Sequence, residues 1–230
     1  MREIVFDTET TGLDPASGDR MVEIGCIEMI NRVPSGASFH AYFNPERDMP
    51  AAAEAVHGLS ISFLSDKLRF AERAEELMEF LGDAPLVAHN AGFDFGFLNS
   101  ELERIGMARV NNDRMIDTVA IARKRHPGAK VSLDALCTRY GIDRSHRVKH
   151  GALLDAELLA QVYVELTGGR QIGLELAAET ALVEGEISHS VAATAAMRPL
   201  REPRPHAPTD EELARHKAFV DQIDSPLWSN

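Results

Sequence analysis

Hydrophobic and polar positions follow two different rhythms along this chain, and the change between them outlines its architecture. Over residues 2–7 the run Ile4-Val5-Phe6 is short, apolar and rich in β-formers, the pattern of a strand covered on both faces. Residues 22–30 and 38–44 read as two further strands, and the polar turn at 31–36 between them predicts a meander. Beyond residue 70 the period lengthens. Phe70, Ala74, Leu77 and Leu81 recur at helical spacing, as do Leu98, Leu102 and Ile105, with a short apolar strand at 85–88 between the two sets. Ser132 opens a helix running through Tyr140, and another runs from about Gly151 to Thr167, where Gly168-Gly169 stops it. Strands first and helices interleaved afterwards predict an α/β domain over residues 1–170, a mixed sheet flanked by helices.

After residue 170 the pattern weakens. Residues 171–197 are Ala-rich with little periodicity, and four of the eleven prolines fall within 199–208 among Arg198, Arg201 and Arg204. Residues 171–208 therefore read as a flexible linker. Order is expected again in a C-terminal segment, 209–230. There Thr209-Asp210-Glu211-Glu212 fits a capping box, and Leu213, Val220 and Ile223 mark one side of a short helix.

Composition narrows the class. With 44% apolar and 26% charged residues the chain reads as an ordinary globular protein, and no run approaches the roughly 18 apolar residues of a membrane span. The first strand begins at once, which argues against a cleaved leader and for a cytoplasmic location. Cys26 and Cys137 each sit in an apolar stretch and read as core residues rather than metal ligands. The formal net charge of −12 works against holding nucleic acid unaided, because such affinity comes mainly from cations on phosphates.

The candidate chemistry begins where the first strand ends. Asp7 and Glu9, two apart, project from one face of the strand. Two like charges at ~4 Å repel by roughly 4 kcal/mol at an effective dielectric of about 20. A divalent cation removes that penalty; a lone D-x-E also fits an Asp capping the turn before Gly12. Asp94 follows the strand at 85–88, and Asp155 lies in the first turns of the last helix, five residues after His150. Each acid alone fits an N-terminal helix position, and His150 alone fits a surface histidine at a helix entrance. Together, four carboxylates at element ends favour hard ions, two Mg²⁺ or Mn²⁺ balancing four acids. Such a site suits phosphodiester hydrolysis, with His150 as a base near neutral pH.

Three segments carry a resemblance. Phe6-Asp7-Thr8-Glu9-Thr10-Thr11-Gly12, His89-Asn90-Ala91-Gly92-Phe93-Asp94 and Lys149-His150-Gly151-Ala152-Leu153-Leu154-Asp155 resemble, in order, the three motifs of the DEDDh exonucleases. A histidine five before the last Asp, with Gly151 four before it, distinguishes this group from the sister group that uses a tyrosine. The resemblance implies an RNase H-like fold and 3′→5′ hydrolysis. It assigns Asp7, Glu9, Asp94 and Asp155 to two divalent metals, His150 to the general base and His57 to the terminal nucleotide. Asp7, Glu9 and Asp155 would also face the substrate; Phe93 either stacks on a base or belongs to the core.

Within the family the likeness is closest to the proofreading subunits of bacterial replicative polymerases, through Val56-His57-Gly58-Leu59, residues 117–124 and 132–137, and the closing Leu227-Trp228. That likeness implies a DNA 3′ end as substrate and the polymerase α subunit as partner of residues 209–230, with Leu227 and Trp228 as anchors. It further implies a sliding clamp docked on 171–176 through Gln171, Leu174 and Leu176, and an accessory subunit. Relatives often carry an acid two residues after the proline before the His-Gly; here Ala52 stands there, with Glu54 nearby. A stand-alone enzyme trimming RNA or oligonucleotide ends shares the motifs without needing the tail, and an idle polymerase–clamp tether would not need the five catalytic groups.

Overall fold

The computed structural model describes residues 1–145, 147, 149–168 and 207–223. Five strands form one mixed sheet: β1 (Arg2–Thr10), β2 (Met21–Ile30), β3 (Val33–Tyr42), β4 (Leu86–Ala88) and β5 (Met115–Asp117), in the order β3-β2-β1-β4-β5. The first three pair antiparallel, whereas β4 joins β1, and β5 joins β4, in parallel. The helices are α1 (Ala51–His57), α2 (Ile61–Leu64), α3 (Phe70–Leu81), α4 (Ala91–Arg104), α5 (Thr118–Arg125), α6 (Leu133–Tyr140), α7 (Ala152–Leu166) and α8 (Asp210–Val220). The expected α/β architecture, a mixed sheet flanked by helices, is borne out.

The strand alternation sorts side chains between two cores. Ile4 and Phe6 of β1 and Leu86 and Ala88 of β4 pack under α3 and α4, against Phe70, Leu77, Leu98 and Leu102. Val5, Ile27, Met29 and Val87 face the other way, onto Ala156, Leu159, Ala160 and Tyr163 of α7. Helices α5 and α6 extend this second layer, with Leu136 and Cys137 packed against Leu158 and Val162. Cys26 and Cys137 are buried free thiols, as their apolar surroundings predict.

Three differences from the sequence-based boundaries have physical causes. Strand β1 runs to Thr10, so Asp7 and Glu9 lie within the strand rather than at its end. The hairpin between β2 and β3 turns on Asn31 and Arg32, both with positive φ, and pairs Ile30 directly with Val33. Such a two-residue turn matches strand twist, and Pro34 is tolerated because β3 is an edge. Strand β5, three residues long, is too short to show a period.

Helix α7 lies unusually deep against the sheet because β2 carries Gly25. A Cβ there would come within 2.3 Å of the Leu153 Cα. Gly25 sits directly across from Asp7 in the β1–β2 register, so the close approach brings the first turn of α7 onto the middle of β1.

The C-terminal unit holds α8, opened by the expected capping box. The Thr209 hydroxyl accepts from Glu212 N, and Glu212 accepts from Thr209 N at 2.8 Å. Leu213 and Phe219 of α8 and Ile223 beyond it are exposed. Gln171, Leu174, Leu176, Leu227 and Trp228, and most of the expected linker, lie outside the described residues. No helix among the described residues is long and apolar enough to cross a membrane.

Substituting Gly25→Ala is expected to destabilise the fold by about 2 kcal/mol or more, because the obstruction is backbone that cannot move aside cheaply. Urea unfolding measures it; a change below about 0.5 kcal/mol would contradict the close approach.

Candidate active site

The site forms where β1 outruns its neighbour. Strand β4 pairs with β1 at Ile4 and Val5 and ends at Ala88. His89 and Asn90 then turn away into α4, Asn90 with φ 67°. Asp7, Thr8 and Glu9 continue with β2 on one side and a cleft on the other. This is the carboxyl end of parallel strands, where open α/β sheets place their ligands.

Three elements deliver acids to that cleft. Asp7 and Glu9 come from β1. Asp94 comes from the first turn of α4 and is buried, its Oδ1 accepting from the Thr8 hydroxyl at 2.7 Å. Asp155, also buried, comes from the first turn of α7. They line one cavity of about 590 Å³ with His150, His89, Asn90, Phe93, Arg123, Asp134 and Arg147. The sequence-predicted set of Asp7, Glu9, Asp94, Asp155 and His150 thus converges on one place.

Burial and the crowding of like charges act together on these acids. Loss of water around the Asp7 carboxyl, followed by the proximity of Asp94, Glu9 and Asp155, raises its pKa well above the ordinary carboxylate value. Burial, then Glu23 across the β1–β2 pair, then Asp155 and Asp94, push Glu9 up to about 8. Burial raises Asp94 as well, opposed by the Thr8 hydroxyl. These acids are held where water cannot stabilise their charge.

The donor chemistry fits a divalent cation. One ligand atom each from Glu9, His150 and Asp155 lies within 4.8 Å of the others, and Asp7 and Asp94 line the same cavity with further carboxylate oxygens, the donors a hard ion prefers. His150 is exposed over 48% of its side chain, with Nδ1 3.1 Å from Asp155 Oδ2.

His57 and Phe93 occupy different surroundings. Phe93 lines the cavity while packing on Phe97, ring centroids 4.9 Å apart. His57 is 6% exposed and is not part of the cavity wall. Its Nδ1 accepts from Leu59 N at 3.0 Å, which places the proton on Nε2, a buried atom beside the Thr10 backbone. Burial lowers its pKa. Its neighbours steady the loop carrying His150: Val56 O accepts from His150 N at 3.4 Å, and the Lys149 side chain lies over Gly58.

Residues 4–163 match the exonuclease family RNase_T. The chain is 46% identical over 231 residues to DNA polymerase III subunit epsilon of Rickettsia felis, with 97% of each chain covered. It is 41% identical over 241 residues to DNA polymerase III subunit epsilon of Escherichia coli K12, covering 99% of this chain and 97% of that one. The chain belongs to this exonuclease family and, within it, to the DNA polymerase III epsilon subunits. Among solved structures, Exonuclease X in complex with 5′ overhanging duplex DNA matches the fold with TM-score 0.55 at 23% identity, over 72% of this chain and 90% of that one. The family resemblance carried by the three motifs is borne out.

Several residues that support this exonuclease site gave no sequence signal of their own. Thr8, between the two acids, points to the opposite face and fastens Asp94. Asp117 at the end of β5 accepts from both Asn90 N and Val119 N, at 3.1 and 2.9 Å, and so holds the turn that presents Asp94. Arg147 pairs with Asp155 through two hydrogen bonds, Nε to Oδ1 at 2.5 Å and Nη2 to Oδ2 at 2.6 Å. Its spacing from Asp155 was open to inspection, but the contact depends on how the loop folds back.

Because Glu9 titrates near 8 in the fold against 4.5 unpaired, the folded metal-free chain keeps a proton that the unfolded chain has released between those values. Stability is therefore lost as pH rises through that window. The melting temperature of metal-free protein should fall by about 5 °C or more between pH 5.5 and 8.5, and Mn²⁺ at pH 8.5 should restore it. A flat profile, unmoved by Mn²⁺, would contradict the charge crowding.

Proposed function

We propose that this exonuclease removes nucleotides from a DNA 3′ end as the proofreading subunit of a bacterial replicative polymerase, taking mispaired ends before paired ones. The observation that carries the chemistry is the convergence of Asp7, Glu9, Asp94, Asp155 and His150 on one cavity. Asp7, Glu9, Asp94 and Asp155 would hold two divalent cations, Mg²⁺ or Mn²⁺. Such ions, when bound, lower the pKa of a water and offset charge at the leaving oxygen. His150 takes the water's proton, with Asp155 orienting its ring. Phe93 offers a face for base stacking. A nucleotide contact for His57 rests on its motif, Val56-His57-Gly58-Leu59, and requires the buried ring to reach the cavity.

The acidic chain carries a local answer to its own charge. Residues 121–150 hold eight Lys and Arg against two acids, although the chain is −12 overall. Arg123 from this stretch lines the cavity, and it is placed to receive a phosphate on the incoming strand. The cavity lies among buried acids, so a terminus must leave its duplex to reach it. A mismatch reduces that unpairing cost, which is a few kcal/mol.

The family supports a place in DNA polymerase III. The exposed Leu213, Phe219 and Ile223 in and beside α8 suit an interface with the polymerase α subunit, with Leu227 and Trp228 adding to it. Gln171, Leu174 and Leu176 would engage the sliding clamp. Tethering raises the effective concentration of a weakly binding nuclease at the primer end.

The test compares labelled primers ending in a matched or a mismatched nucleotide, on DNA and RNA, with Mg²⁺ and with EDTA. Faster release from the mismatched DNA end, lost in EDTA, is expected; equal or faster digestion of RNA would support the trimming role instead. Asp7→Ala should lower kcat by about a thousandfold or more with circular dichroism unchanged. Arg123→Ala should raise KM for single-stranded DNA several-fold with little change in kcat; an unchanged KM would remove it from the substrate path.

A further inference from the structure

The loop between α6 and α7 places one guanidinium against three groups of the site. The Arg147 side chain is 9% exposed. Its Nε and Nη2 donate to both oxygens of Asp155, its Nη1 donates to Asp134 Oδ1 at 2.7 Å, and its Nη2 lies 2.7 Å from His150 Nδ1. A parallel two-bond fork of this kind is charge-assisted, each bond roughly twice as strong as a neutral one. It also occupies the oxygens through which Asp155 would hold a metal ion.

We propose that Arg147 is a displaceable latch on the metal site: the resident counter-charge of Asp155 in the metal-free enzyme, exchanged for a divalent cation when the site loads. The inference rests on Asp155 being a metal ligand, as proposed above. A cation reaching Asp155 must remove at least one of the two donors, and a second positive charge beside it is unfavourable, so ion and guanidinium compete.

The geometry provides for the exchange. Asp134, half-exposed on the first turn of α6, already holds Nη1 through an oxygen it shares with Arg144 at 2.8 Å, and so offers the guanidinium a carboxylate after Asp155 is given up. The same exchange alters the environment of the base. In place, Arg147 Nη2 donates toward the Nδ1 lone pair of His150, in competition with Asp155 Oδ2 at 3.1 Å. Once Arg147 has left, Nδ1–H donates to Asp155 and the Nε2 lone pair is the one free to accept a proton.

An alternative role predicts the opposite sign. If Arg147 only props Asp155 in position for the ion, removing it loosens the ligand and weakens metal binding. If it is a latch, removing it eliminates a competitor and tightens binding.

Mn²⁺ titration calorimetry and thermal melting of the full-length, metal-free protein, comparing wild type with R147Q and R147K, separate the two. The latch predicts Mn²⁺ bound about tenfold tighter by R147Q, a loss of one competing charged hydrogen-bond pair, with R147K in between. It also predicts a lower melting temperature for metal-free R147Q and a gap to wild type that narrows at saturating Mn²⁺. If R147Q does not fold without metal, tighter Mn²⁺ binding by R147K than by wild type decides for the latch. Unchanged or weaker binding in the folded variants overturns the latch and leaves the metal site standing. Failure of wild type to bind Mn²⁺ at all overturns both.

Discussion

Like charges in a place that excludes water are the constraint on which this structure turns. Asp7, Glu9, Asp94 and Asp155 come from one strand and two helices, and Asp94 and Asp155 raise the cost of charging both Asp7 and Glu9. A core of this kind would ordinarily be selected for fewer acids or for compensating cations. Here one arginine compensates one of the four, and the remainder are poised for an ion. The fold stabilises this arrangement from a distance, through two apolar layers that hold β1 between α3 and α4 on one side and α7 on the other.

Supporting residues translate that packing into position. Gly25 lets α7 come close enough for Asp155 to meet Asp7. Thr8 reaches through the opposite face to fix Asp94, and Asp117 ties down the turn from which α4 starts. The histidine differs from the acids: it sits on a partly exposed loop, held at its backbone by Val56 and faced by Arg147. Rigid acids on regular elements beside a base on a loop fit a reaction in which the charge site is preorganised and the proton carrier must exchange with solvent.

Much of this was legible in the chain. The period of two put Asp7 and Glu9 on one face before any fold was known, because strand geometry leaves no other choice. Helical spacing at Phe70–Leu81 gave α3 directly, and Thr209-Asp210-Glu211-Glu212 gave the start of α8. The motif order placed Asp94, His150 and Asp155 in one site. What escaped was set by contacts between distant segments. Gly25 looks like any strand glycine until Leu153 is laid over it; Glu23 raises Glu9 only through the β1–β2 register; Arg147 reads as one of many basic residues until its loop folds back. His57 shows the converse: its motif is plain, yet the fold buries it outside the cavity wall.

These acids are arranged for a cation at the expense of the metal-free fold. The stability of Asp7→Asn in metal-free solution at pH 8, measured by calorimetric melting, tests this most directly. Asp7 is the acid that feels all three of the others, so neutralising it should raise the melting temperature above that of wild type while nuclease activity is lost. A melting temperature lowered by the substitution would mean that the Asp7 charge is satisfied within the fold, and the account would be contradicted.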